Sequence, residues 1–525
     1  MRNREEGSMK LTEDSIEFAK KHIIKYTDSD FYPKSPIFEN LWKVWPQIKS
    51  YLLSTEISDF ETRIPKIFAA PKSKGGYRIV HRLEPMNAIV YTALAYMIAD
   101  KIEAARMPKE QKIACSYRIS TTPDGDFFGN EKGYNNYYDK SKELSTKYQY
   151  ILQTDITDFY NQIYVHRLQN AIEAADPSLR ELSYEIEDFI IKLNSSSTKG
   201  IPVGSIASIV FSEALMIDID NFISNKGFEF TRYVDDIRIF SNNQKDLDKI
   251  LEELTQYLYE QHRLNLSSSK TGIFEINDFL NNELNSPEEM EIQERHKFLL
   301  EVTEEMAELL DYPNFAFENI ELEDLPNEKQ IRIKYKALYE LLLQIINTKK
   351  FNLGLVRHIL KQARHWRCRS IIKLVIDNLS FFTPVIREVC LYFDNVITKD
   401  LIETHKEYIL NVLINSEAMN KEFVKYWINW LITKNINYFD KVFFQNYLKT
   451  QDLFWEIRKN IYLKNITFIN TLKINYDNYD IWTRLEILQG IQLLPKKEKN
   501  AFLASRGNGM KTTEDFLIKA INSMN

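Results

Sequence analysis

Three aspartates carry the strongest chemical signal in this 525-residue chain. The segment YQYILQTDITDFYNQI is an apolar run that ends on Asp155 and then turns into a short helix, so it delivers a carboxylate from the end of a buried strand. A carboxylate there is costly unless a cation or a hydrogen-bond donor meets it. The segment FEFTRYVDDIRIFSN has two β-rich halves around a tight turn, which holds Asp235 and Asp236 side by side. Adjacent carboxylates repel, and a third from another strand makes sense chiefly if divalent metal neutralises the group. Asp-Asp alone is ordinary turn chemistry. The joint pattern is what suggests a metal site.

Further features accompany the aspartates. KGIPVGSIASIVFSEALMIDIDNFI is a Gly-Pro-Gly loop opening a helix, which offers close backbone approach and free N–H groups to a ligand. Lys72 and Arg78 bracket Gly75 and Gly76 in PKSKGGYRIV, placing two cations on a β-hairpin suited to clamping a triphosphate. Lys270 lies in the strand-like segment that follows an amphipathic helix, DLDKILEELTQYLYEQHRLNLSSSKTGIF.

In order and spacing, the basic hairpin, the Asp155 strand, the GIPVGSIAS helix start, the YVDD hairpin and LNLSSSKT resemble motifs 2, A, B, C and D of reverse transcriptases, over about residues 64–274. SYRI at Ser116–Ile119, the missing conventional thumb and a helical C-terminal body resemble the abortive-infection (Abi) reverse transcriptases of bacterial phage defence. The resemblance implies that Asp155 and Asp235 hold two Mg²⁺ ions, with Mn²⁺ as a substitute, Asp236 beside them and the carbonyl of Ile156 assisting. It implies that Tyr160 is a sugar gate favouring deoxynucleotides, that Lys72 and Arg78 grip the triphosphate, that Pro202, Val203 and Gly204 border the nucleotide, and that Lys270 protonates pyrophosphate. Many reverse transcriptases have Gln-Gly where Val203-Gly204 stands, and no primer-grip segment follows Phe274. The implied activity is untemplated, protein-primed DNA synthesis from dNTPs by a homo-oligomer, its single-stranded product attached to a tyrosine. Tyr26, Tyr32, Tyr134, Tyr137 and Tyr138 are among 29 candidates. A templated RNA-directed polymerase of the retron or group II kind is the alternative enzyme. A helical-repeat scaffold with a decayed polymerase fold is the non-enzymatic one, and the three intact aspartates argue against it.

The elements that must position these residues follow from composition. The length is a prior for two or three domains. With 14 glycines, 15 prolines and 13% aromatic residues, disordered and Gly-rich all-β classes are excluded. Residues 1–280 alternate strand and helix signals, as expected of an α/β fingers-palm core. Residues 281–326 are an acidic connector, and residues 327–525 are amphipathic helices expected to form an all-α, HEAT-like repeat. The net charge of −6 hides a contrast: residues 280–326 carry 14 acidic and 2 basic side chains, residues 327–525 carry 19 and 31. Within the basic body, Lys361, Arg364, Trp366, Arg367 and Arg369 crowd one stretch suited to phosphate contact and base stacking on a single strand. The three cysteines form no CxxC pair, and the eight histidines show no metal-ligand spacing. No signal peptide or membrane span is legible, so a cytoplasmic protein with no membrane partner is expected.

Overall fold

The computed structural model describes residues 9–281 and 327–523, apart from 27, 28, 30, 74, 130–132, 350, 440–442, 444–446, 448–452 and 507–508. All but the first residue of the expected acidic connector therefore lies outside the described residues. The chain divides into two compact units: Met1–Ile67, Ile79–Leu284 and Lys496–Asn525 form one, Phe68–Arg78 and Asn285–Pro495 the other.

In the first unit, a four-stranded antiparallel sheet has the order β4-β5-β3-β6, where β3 is Tyr150–Asp155, β4 Glu229–Tyr233, β5 Asp236–Ser241 and β6 Gly272–Glu275. The preceding strands, β1 (Lys66–Pro71) and β2 (Tyr77–Arg82), form a separate two-stranded sheet. Side chains alternate across a strand, so the two faces of β3 and β5 bury different partners. Ile151 and Phe240, opposite each other in the ladder, pack with Leu144, Ile276 and Phe279. Leu152 and Ile239 form the next pair, and both are fully buried. Beside the sheet, the helix Pro85–Ala105 packs on Glu13–Tyr26 and on Ala207–Asn225. Its start is set by Pro85 at the first helical position and by Glu84, whose carboxylate accepts from the N–H groups of Met86 and Asn87.

The expected boundaries differ from these units in two places. The helix Thr513–Ser523, expected in the C-terminal body, belongs to the first unit: it packs on Ile37–Lys43, Phe516 meets Tyr51 at 5.7 Å between ring centroids, and Met86 N–H donates to Thr513 Oγ1 at 3.1 Å. Residues 68–78 of the hairpin, expected in the first body, join the second, where Phe68 sets its ring 5.2 Å from Tyr426. In both cases aromatic burial outweighs sequence proximity.

The second unit is helical, and alternate helices stack. Leu353–His365 packs on Ile386–Val396, which packs on Glu422–Lys434, then Leu453–Tyr462, then Ile481–Ile491. No helix among the described residues is long and apolar enough to cross a membrane. All three cysteines are free and buried.

Candidate active site

β3 and β5 run antiparallel with Asp155 directly opposite Asp236, and Tyr233 pairs with Asp236 across the β4–β5 hairpin, leaving Val234 and Asp235 as a two-residue turn. A central strand and a hairpin tip thus converge on one point. One carboxylate oxygen from each of Asp155, Asp235 and Asp236 lies within 4.8 Å of the others. Asp155 is buried, and the other two are half-buried. The Asp155 carbonyl accepts from Ser267 N–H at 2.7 Å, and Ile156 bridges Leu266, so the segment before Lys270 continues alongside β3. Lys270 is thereby brought to the cluster, with Nζ 2.8 Å from Asp155 Oδ1.

The electrostatics follow from three carboxylates facing one cation. Burial, reinforced by the charges of Asp155 and Asp236, pushes the Asp235 carboxyl up to about 7. Burial and Asp155 push Asp236 up to about 6, with Lys270 opposing. Burial works against the charged form of Lys270, but its bond to Asp155 holds the ammonium above its ordinary value. The donor set is all oxygen and strained by like charge. It fits hard divalent cations such as Mg²⁺ or Mn²⁺, which would relieve that repulsion.

Tyr160 is half-buried on the short helix Phe159–Gln162, and its carbonyl accepts from Ile201 N–H at 2.9 Å. Burial raises the pKa of its phenol, which bonds Ser212 and feels the charges of Glu213 and Asp235. It therefore borders both the aspartates and the Gly-Ile-Pro-Val-Gly loop. In that loop Pro202 and Val203 are buried rather than open to a ligand, and Val203 exchanges hydrogen bonds with His81: His81 N–H donates to its carbonyl at 2.9 Å, and Val203 N–H donates to His81 Nδ1 at 3.0 Å. Burial lowers the His81 pKa to about 4, so this nitrogen stays an acceptor at neutral pH. Gly204 has φ of +114°, and an added Cβ would come within 2.6 Å of Ser29 Oγ and 2.9 Å of Phe31. Only glycine fits there.

Lys72 and Arg78 are exposed on the hairpin whose turn uses left-handed Gly75 and Gly76. Lys361, Arg364, Arg367 and Arg369 are exposed at and beyond the end of the helix Leu353–His365, and none makes an ion pair among the described residues; Trp366 is half-buried.

Sequence reasoning missed a buried charge network beside the aspartates. Arg232 of β4, with no exposed surface, donates to Asp220 through Nε (2.8 Å) and Nη2 (2.7 Å), and to Glu213 through Nη1 (3.2 Å) and Nη2 (3.0 Å). Arg106 pairs with Glu213 at 2.9 Å and with Glu103 at 2.9 Å, and Arg118 also pairs with Glu103. Despite the burial penalty, Arg106 and Arg232 hold the Glu213 carboxyl below its ordinary value. One signal was available: Glu213 and Asp220 stand seven apart on a largely apolar helix, hence on one face, and a buried charge needs a partner.

Residues 70–303 match the family model described as reverse transcriptase (RNA-dependent DNA polymerase). No curated protein matches the chain. Among solved structures, telomerase from Candida albicans in complex with a TWJ fragment of telomeric RNA is similar at 11% identity, over 68% of this chain and 67% of that chain, with a TM-score of 0.31. Apo telomerase from Candida tropicalis is similar at 12% identity, over 82% and 73%, also with a TM-score of 0.31.

Proposed function

We propose that this chain, which carries a reverse transcriptase domain and is a nucleotidyltransferase of that family, makes DNA from dNTPs without a template, starts it on one of its own tyrosine hydroxyls, and acts in abortive-infection defence in the cytoplasm. The observation that carries the polymerase reading is the convergence of Asp155, Asp235 and Asp236 with Lys270 alongside. Two divalent ions bound there, Mg²⁺ with Mn²⁺ as substitute, would lower the pKa of the attacking hydroxyl and stabilise charge on the leaving group. In the step itself, the hydroxyl loses its proton to solvent as its oxygen forms a bond to the α-phosphorus and the bond from that phosphorus to the bridging oxygen breaks, releasing pyrophosphate.

Within this chain, Asp155 and Asp235 would hold the two ions, Asp236 would add negative charge beside them, and the Ile156 carbonyl would supplement them. Lys270 gives its proton to the departing pyrophosphate, a role that its pairing with Asp155 as an ammonium supports. Tyr160 bars a 2′-hydroxyl through its ring. The resemblance assigns Lys72 and Arg78 to the triphosphate and the loop of Pro202, Val203 and Gly204 to the nucleotide's border, where Gly204 alone of the three is not buried.

Untemplated synthesis and tyrosine priming rest on the Abi resemblance and on the lack of a primer-grip pattern after Phe274. The alternate stacking of helices supports a HEAT-like reading of the second unit. Its cations at Lys361, Arg364, Arg367 and Arg369, with Trp366, would guide the single-stranded product, and a homo-oligomer is the expected assembly.

The test is a reaction of purified protein with labelled dNTPs and Mg²⁺, without template or primer. Label that stays on the protein band under denaturing conditions is the expected result. Incorporation only when a template and primer are supplied would replace this reading with the retron-like or group II-like one.

A further inference from the structure

The turn that carries Asp235 is held in an unfavourable shape. Val234 is β-branched, yet its φ is 57°, in the left-handed region that such side chains avoid. Tyr117, a bulky residue, also has a left-handed φ of 43°. Tyr117 borders the same site: its ring lies 6.1 Å from that of Tyr233, and it hydrogen-bonds Tyr233. Backbone strain persists only where surrounding groups over-determine it, and it gathers at functional sites.

Here the surrounding groups are identifiable. Val234 N–H donates to Ser116 Oγ at 2.8 Å, and the Val234 carbonyl accepts from Arg232 Nη1 at 2.8 Å. Both holders report to one carboxylate: Ser116 Oγ donates to Glu213 Oε1 at 3.2 Å, and Arg232 grips both Glu213 oxygens. The second left-handed residue is tied to the same carboxylate through Arg106, which pairs with Glu213 and donates to the carbonyls of Ser116 (2.9 Å) and Tyr117 (3.1 Å). Ser116 and Arg232 have no exposed surface, and Glu213 is 1% exposed, so water does not compete for these bonds.

We propose that Glu213, with Ser116, Arg232 and Arg106, is a positioning device that locks Val234 in its strained conformation and so aims Asp235 at Asp155, pre-forming the metal site before any ion arrives. Without the clamp, the turn relaxes toward a right-handed or extended Val234, and the Asp235 carboxylate swings out of the cluster. Three mutually repelling carboxylates tend to separate, so pre-organisation must be supplied by neighbours. Ser116 is the most informative member, because it touches the turn through one hydroxyl and carries no charge.

The inference rests on the metal-site reading, and the test separates the two. Mn²⁺ binding to the full-length protein is followed by electron paramagnetic resonance, with thermal melting by circular dichroism alongside. Ser116→Ala is expected to weaken Mn²⁺ binding about 10-fold while the protein stays folded. Adding Val234→Gly, which makes the left-handed turn free of strain, is expected to restore binding to within about 2-fold of wild type. Wild-type Mn²⁺ affinity in folded Ser116→Ala, or a double variant no better than the single one, would overturn the clamp. Asp235→Asn is the control: if it too binds Mn²⁺ like wild type, the metal reading itself fails, whereas weakened binding in Asp235→Asn with wild-type binding in Ser116→Ala removes the clamp alone.

Discussion

The two units bury different chemistry. Around the sheet of the first unit, Asp155, Arg106, Arg118, Arg232, Glu213 and Asp220 are all buried, a concentration of charge that costs stability unless every member is paired. Among the described residues of the helical unit, the buried charged set is a single pair, Arg458 with Glu486 at 2.6 Å, and the rest of its core is nearly all apolar. The lesson is one of division of labour. A site that must gather three carboxylates needs a rigid, polar surround to hold them, while a stack of amphipathic helices needs only matched apolar faces and leaves its outer surface free to carry cations.

The largest expected effect separates the regions most sharply. Asp235→Asn should lower nucleotide incorporation by roughly 10³-fold or more, with folding intact by circular dichroism. It should also stabilise the metal-free protein. The Asp235 carboxyl ionises at its ordinary 3.8 when unfolded and at about 7 when folded, so through that window the folded state keeps a proton the unfolded state has lost, and stability falls as pH rises. Removing the charge should flatten that fall, leaving the variant's melting midpoint at pH 7.5 without metal about 2–4 °C above wild type. A variant that kept substantial activity, or melted lower, would mean the aspartate cluster is not the strained centre of the first unit.

A smaller change should sharpen the picture inside that unit. Tyr160→Ala is expected to relax discrimination against ribonucleotides roughly 10- to 100-fold, while lowering dNTP incorporation less, measured as the ratio of kcat/KM values. An unchanged ratio in an active variant would return Tyr160 to the core.

The smallest effect belongs to the helical unit. Reversing charge at Arg364 and Arg367 should shorten products and make single-strand binding less steeply dependent on salt, by roughly 0.7 in log–log slope for each phosphate that the surface no longer neutralises, with the first nucleotide addition unaffected. Product length and salt slope at wild-type values would make this surface merely solvated, and the contrast between the units would then lie in their interiors alone.

Much of the site was legible before folding was considered. Asp155 at the end of an apolar strand, the Asp235–Asp236 turn and the Gly-Ile-Pro-Val-Gly helix start are local patterns, because a strand, a hairpin and a helix start are each specified by neighbours in sequence. The contact of Lys270 with Asp155 was not legible, since it depends on the chain from Leu266 onward pairing back onto β3. The order of the helices beyond Asn327 was readable from their period.

What only the tertiary structure decided is how residues far apart in sequence meet. The joint role of Glu213, Arg232, Arg106 and Ser116 exists only because the helix Ala207–Asn225, β4 and the loop at Ser116 enclose one dry volume in which each charge must find its opposite. The same is true of Phe516 and Phe68, which leave their sequence neighbours to bury aromatic surface elsewhere. Periodicity and turn chemistry act over a few residues and are written in the chain, whereas burial and charge pairing act through space and appear only when the chain has closed on itself.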